Sequence, residues 1–117
     1  MICFKTKYGN INCLKNDVEF VKSLNNCKIY EEDLIIKNII PHLKNKDIKI
    51  ILDIGAHIGS HTMIYSHYFK DADIYCFEPQ KVIYDILSKN INENSIKNCK
   101  LYNNCVGHKN TDTTLSR

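Results

Sequence analysis

The sequence predicts an α/β fold, a parallel βαβαβ sheet preceded by a small β-hairpin and one or two helices. Three observations predict it. Ile48 to Ile54 is a nearly continuous apolar run that stops at Gly55-Ala56-His57-Ile58-Gly59, the pattern of a buried parallel strand. Ala72 to Phe77 is a second such run and stops at Glu78-Pro79. Helical spacing of apolar residues follows each run, and a third strand-like stretch extends from Asn98 or Cys99 to about Asn104. Strand, helix, strand, helix, strand at these separations leaves a parallel sheet with helical crossovers as the simplest topology.

Ile2 to Leu14 holds two short β-prone runs around Tyr8-Gly9-Asn10, where Gly and Asn can take the positive φ of a hairpin turn. Asp17 to Leu24 reads as a short helix. Tyr30 to Ile40 reads as another, since Ile35, Ile36, Ile39, Ile40 and Leu43 share one helical face. Pro41 removes a backbone donor and ends or kinks it, and Lys44 to Asp47 is a polar connection. Helical periodicity returns from Ile58 to Phe69. It returns again through Val82, Ile83, Ile86, Leu87 and Ile91, closing near Asn92-Glu93-Asn94. The many asparagines read as caps and turns.

A chain of 117 residues is enough for one domain with a core. Residues 1–47 are expected to pack as a hairpin and helical segment on a core formed by residues 48–117. Sixteen basic and 13 acidic residues give +3 with no block of like charge, so nucleic acid is not implied. No apolar run reaches the roughly 18 to 20 residues of a membrane span, and the N-terminus lacks the regions of a signal peptide. A cytoplasmic location is the expectation. The six cysteines show no C-x-x-C spacing and read as buried free thiols, small hydrophobes inside strand-like runs.

Ligands of such sheets lie outside the carboxyl ends of the strands, which selects Asp53 to Gly59 and Phe77-Glu78-Pro79. Gly55 lets the chain turn off the first strand and exposes backbone to a ligand, while Gly59 permits close packing as the helix begins. Glu78 is placed to take both hydroxyls of a ribose, and His57 belongs to the same turn. A pyrophosphate at the helix N-terminus would be repelled by Asp53, whereas the sulfonium and ammonium of S-adenosylmethionine would be attracted. Only two glycines remain of the G-x-G-x-x-G pattern, which also favours the methyl donor over a nicotinamide dinucleotide. His57 and His61 are four apart, but a glycine lies between them and no Glu adjoins the first, so no metal site is read. His61 and His67 are expected on or near the helix surface.

The stretch ILDIGAHIGSHT, then IYCFEP, the helix YDILSKNINEN and LYNNCVG resemble the FkbM family of S-adenosylmethionine-dependent methyltransferases. Its pattern is D-x-G-A-x-x-G with F-E-P at the second strand end. The resemblance covers Ile48 to Leu115 and implies a Rossmann-like class I methyltransferase core. It implies that Asp53, Gly55, Ala56 and Gly59 surround the methionine part and that Glu78 meets the ribose beside Pro79. It also implies that Asn104 and Cys105 lie beside the adenine. The implied reaction is O-methyl transfer to a hydroxyl of a sugar or other small molecule. Such domains continue past the third strand, so the sequence is expected to form a half-domain that is incomplete as a catalyst. No residue is assigned as the base. A homo-oligomer or a complementary chain is expected to cover the open sheet edge. Two other classes stay open, a non-catalytic remnant or interaction subunit and an NAD-dependent oxidoreductase.

Overall fold

A computed structural model of the chain describes residues 1–108, so the end of the stretch resembling the methyltransferases, through Leu115, lies outside the described residues. Strands β1 (Ile2–Thr6) and β2 (Gly9–Cys13) form an antiparallel hairpin with Thr6 opposite Gly9. The connection is therefore Lys7-Tyr8, one residue earlier than the turn expected at Tyr8-Gly9-Asn10. Of the three expected turn residues, Gly9 alone has a positive φ, at +129°. The Thr6 hydroxyl closes the turn, donating to the Gly9 carbonyl at 2.7 Å and accepting from the Tyr8 amide at 3.1 Å.

Helix α1 (Val18–Asn25) follows, then α2 (Glu32–Asn38) and the short α3 (Ile40–Leu43). The single helix expected over Tyr30 to Ile40 is thus broken at Ile39. Pro41 does not end it but sits in the first turn of α3, where its missing N–H costs nothing. Beyond them come β3 (Ile50–Ile54), α4 (Ser60–Tyr68), β4 (Asp73–Phe77), α5 (Lys81–Glu93) and β5 (Cys99–Tyr102). The three strands pair in parallel in the order β3-β4-β5, with Ile54 opposite Phe77 and Phe77 opposite Tyr102. This is the α/β, βαβαβ arrangement the sequence predicts.

The core lies between one face of this sheet and helices α4 and α5. Ile74 and Cys76 of β4 meet Met63 and Ile64 of α4 and Ile83, Ile86, Leu87 and Ile91 of α5 in one buried cluster, which the hairpin joins through Ile11 and Cys13. Val82 falls off the buried stripe of α5 and is exposed. The six cysteines are free thiols. Only Cys13 and Cys76 are buried, Cys99 is half-buried, and Cys3, Cys27 and Cys105 are exposed. The expectation of buried thiols holds for two of the six, because strand alternation turns the others outward or a loop carries them.

The opposite sheet face corrects a second expectation. β3 is apolar except for Asp53, yet its residues alternate between half-buried and exposed. Ile50, Leu52 and Ile54 are 62%, 60% and 58% exposed. Among the described residues β3 is also the end strand of its sheet, and the hairpin forms a separate sheet. An apolar face beside an edge strand is a surface that associates. Light scattering is expected to give a species larger than one chain, and Leu52→Lys to shift it toward the single chain. A monodisperse single chain for the parent would contradict this. Among the described residues no helix is long and apolar enough to cross a membrane.

Candidate functional site

The carboxyl ends of β3 and β4 are tied together by the turn that follows β3. Gly55 (φ +74°) reverses the chain there, and its amide and that of Ala56 both donate to the Phe77 carbonyl, at 2.8 and 3.0 Å. His57 also takes a positive φ, +54°, and its amide donates to Glu78 Oε1 at 3.0 Å. Gly59 (φ +90°) then starts α4, and its amide donates to the Ala56 carbonyl at 3.0 Å. A Cβ at Gly59 would stand 2.7 Å from Leu87 Cδ1, so this glycine is required both by its dihedral angle and by the closeness of α5. A Cβ at Gly55 would meet nothing within 4 Å, which leaves the turn open to a ligand on that side.

Glu78 sits beneath the turn rather than at its surface. It is 4% exposed. Its Oε2 accepts the Gln80 amide at 2.9 Å, and its backbone is held by Tyr102 and by the Asn103 side chain. The carboxylate therefore organises the turn and the start of α5 together. Asp53, the penultimate residue of β3, accepts a short hydrogen bond from the Thr62 hydroxyl of α4. Burial pushes its carboxyl above the ordinary value, against the smaller opposing pull of Thr62 and His61.

Two hollows flank Gly55. One, of about 240 Å³, is lined by Asp53, Gly55, Ala56, His57, Ser60 and His61 from the turn and α4. Phe20, Tyr30 and Glu31 close its other side. The second, of about 220 Å³, lies between Ile54, Gly55, Phe77, Pro79, Asn104 and Cys105. The structure thus places Asp53, Gly55, Ala56 and His57 on the first hollow and Gly55, Pro79 and Asn104 on the second. Gly59 lies on the packing side and Glu78 underneath. A larger depression of about 410 Å³ runs along α1 past Lys15 and Lys22; its lining contains no carboxylate, histidine or thiol and none of the residues at the strand ends.

The N-terminal wall was not foreseen from the sequence. Phe20 stacks on the His57 ring, with centroids 4.7 Å apart, and lies 5.0 Å from the Tyr30 ring. His57 Nε2 is 3.5 Å from Asp17 Oδ2, while its Nδ1 is buried without a partner. His61, expected on or near the helix surface, is 29% exposed there and turns its Nε2 to the Tyr30 carbonyl at 3.0 Å. Both histidines therefore face the N-terminal segment. No group of three metal-ligating side chains occurs among the described residues. The signal for these histidine contacts is weak in the sequence, because they join residues 31 to 40 positions apart across irregular connections.

No protein-family model matches the chain, and no curated protein matches it. Among solved structures it is similar to the crystal structure of P. horikoshii TYW2 in complex with MeSAdo, at 23% identity and a TM-score of 0.47. That match covers 51% of this chain and 23% of TYW2. It is also similar to the YcgJ protein from Bacillus subtilis, at 20% identity and a TM-score of 0.45, covering 51% of this chain and 25% of the other. The aligned part thus spans about a quarter of each of those proteins.

Proposed function

We propose that the chain binds S-adenosylmethionine as the donor-binding part of a methyltransferase of the FkbM type, serving transfer to a hydroxyl of a sugar or other small molecule. The observation that carries this reading is the state of the turn. The amides of Gly55, Ala56, His57 and Gly59 already donate within the protein, so none of these four N–H groups is left for the pyrophosphate that such a turn cradles in a dinucleotide site. The hollow beside them presents the Asp53 carboxylate and no lysine. That polarity suits a sulfonium and an ammonium and disfavours a dinucleotide.

Within this reading Asp53 faces the cationic part of the donor and Gly55 gives it room. Ala56 and His57 continue that wall, while Gly59 fixes the turn against α5. Pro79 and Asn104, on the second hollow, flank the adenine. Each Glu78 oxygen keeps a second lone pair beyond its bond to a backbone amide, the capacity two ribose hydroxyls need, and the side chain must be uncovered when the ribose binds. The bound donor supplies an electrophilic methyl carbon to an acceptor oxygen. Transfer then depends on positioning and on removal of the acceptor proton, and no base is assigned among the described residues.

Titration calorimetry with S-adenosylmethionine, S-adenosylhomocysteine and NAD tests the proposal. Binding of the first two in preference to NAD is expected, and tighter binding of NAD would overturn it. A second reading, an interaction subunit without catalysis, draws on the exposed Ile50, Leu52 and Ile54. It predicts no specific binding of any of the three.

A further inference from the structure

We infer that the N-terminal segment supplies the second wall of the donor site and that Glu31 receives the ammonium group of the ligand's amino-acid part. The inference rests on the proposed reading of the site and extends it to a residue outside the strand-end motif.

Glu31 precedes α2 in a left-handed conformation, φ +61° and ψ 16°, which a non-glycine residue adopts only at a cost. Its carboxylate gives no capping bond to α2 in return. The neighbouring Glu32 instead accepts the Ile29 amide at 3.0 Å. The strained turn directs Glu31 to the hollow, where it stands 3.5 Å from His61 Nε2 and remains 40% exposed. His61 is already committed elsewhere. The Tyr30 oxygen 3.0 Å from its Nε2 is a carbonyl and can only accept, so that nitrogen donates to Tyr30 and anchors the segment to α4. Glu31 is thereby held in place while its charge is left for something else.

Across the same hollow stands Asp53. Two carboxylates lining one hollow give it a negative polarity that favours a cation there. The charged and titratable groups around them are Asp17, Tyr30, His57, His61 and Tyr65, whose hydroxyl feels both carboxylates, with no lysine in the lining. Phe20 and Tyr30 add apolar ring surface to the lining, which sheds water from a bound cation and strengthens its attraction to the acids. A primary ammonium matches this wall, with three donors for two acids and a carbonyl.

The test compares S-adenosylhomocysteine with 5′-methylthioadenosine, which keeps the adenosine and sulfur but lacks the amino-acid part. Glu31→Gln is expected to weaken S-adenosylhomocysteine binding roughly 5-fold, in keeping with a partly exposed charge pair, and to leave methylthioadenosine binding unchanged. Equal weakening of both ligands, or of neither, would overturn the ammonium role while leaving the donor-site reading intact. Failure of the parent chain to bind S-adenosylhomocysteine at all would overturn both.

Discussion

Replacing Asn90 by Ala is expected to destabilise the chain by about 3 to 5 kcal/mol, a large share of the roughly 5 to 15 kcal/mol of a typical domain. Asn90 lies in the last part of α5 and is 0% exposed. Its Oδ1 accepts from the Asn12 amide at 2.7 Å and from Asn12 Nδ2 at 2.8 Å. Its Nδ2 donates to the carbonyls of Asn12 at 3.1 Å and Ile58 at 2.8 Å. One side chain thus ties the hairpin, α5 and the turn before α4 to one another. Alanine would strand the Asn12 amide and two carbonyls away from water, at about 1 to 3 kcal/mol for each buried group left unsatisfied. Its better helix propensity would return only about 0.5 kcal/mol. Urea unfolding followed by circular dichroism measures the loss. A change below about 1 kcal/mol would mean that the three elements are held together by apolar packing alone.

Asn90 also marks where sequence reading stops. The asparagines read as caps and turns, yet Asn12 and Asn90 form a buried pair, and Asn98 binds the carbonyls of Phe69 and Ala72 while accepting from Ser66. Nothing local distinguishes such an asparagine from one in a turn, because its partners come from elements far away in the chain. The elements themselves were legible because each carries its own period. Ile83, Ile86, Leu87 and Ile91 fall on one helical stripe and bury together. The turn was legible for a similar reason, since Gly55 and Gly59 both occupy positive φ, as their spacing after an apolar strand implies. The exposure of β3 was not, for a strand apolar at every position but Asp53 reads the same whether one face or two are covered. The wall formed by Phe20, Tyr30 and Glu31 depends on how two connections fold back over α4, and periodicity does not report that.

Asp53→Asn is expected to make the chain more stable and a weaker binder of the methyl donor. In the unfolded chain this carboxyl titrates at its ordinary 3.8, and burial on folding raises it. The folded state therefore holds the proton more tightly than the unfolded state across the interval between the two values. Stability falls as pH rises through that interval, and the penalty is fully present above it. Asparagine carries no such charge, and its side-chain oxygen can still accept from the Thr62 hydroxyl that now bonds Asp53. The variant should melt higher than the parent at neutral pH, and the gain should vanish below about pH 3.8. The buried carboxylate is thus a local cost that makes sense at a site built for a cation. With the charge removed, S-adenosylmethionine should bind roughly 10- to 100-fold more weakly, the range for losing one interaction with a charged group. S-adenosylhomocysteine, whose sulfur is neutral, should lose less, and calorimetry with both ligands separates the sulfonium from the ammonium. A variant that binds the donor as tightly as the parent would remove Asp53 from the site. One that melts lower at neutral pH would mean that its hydrogen bond to Thr62 outweighs the cost of its burial.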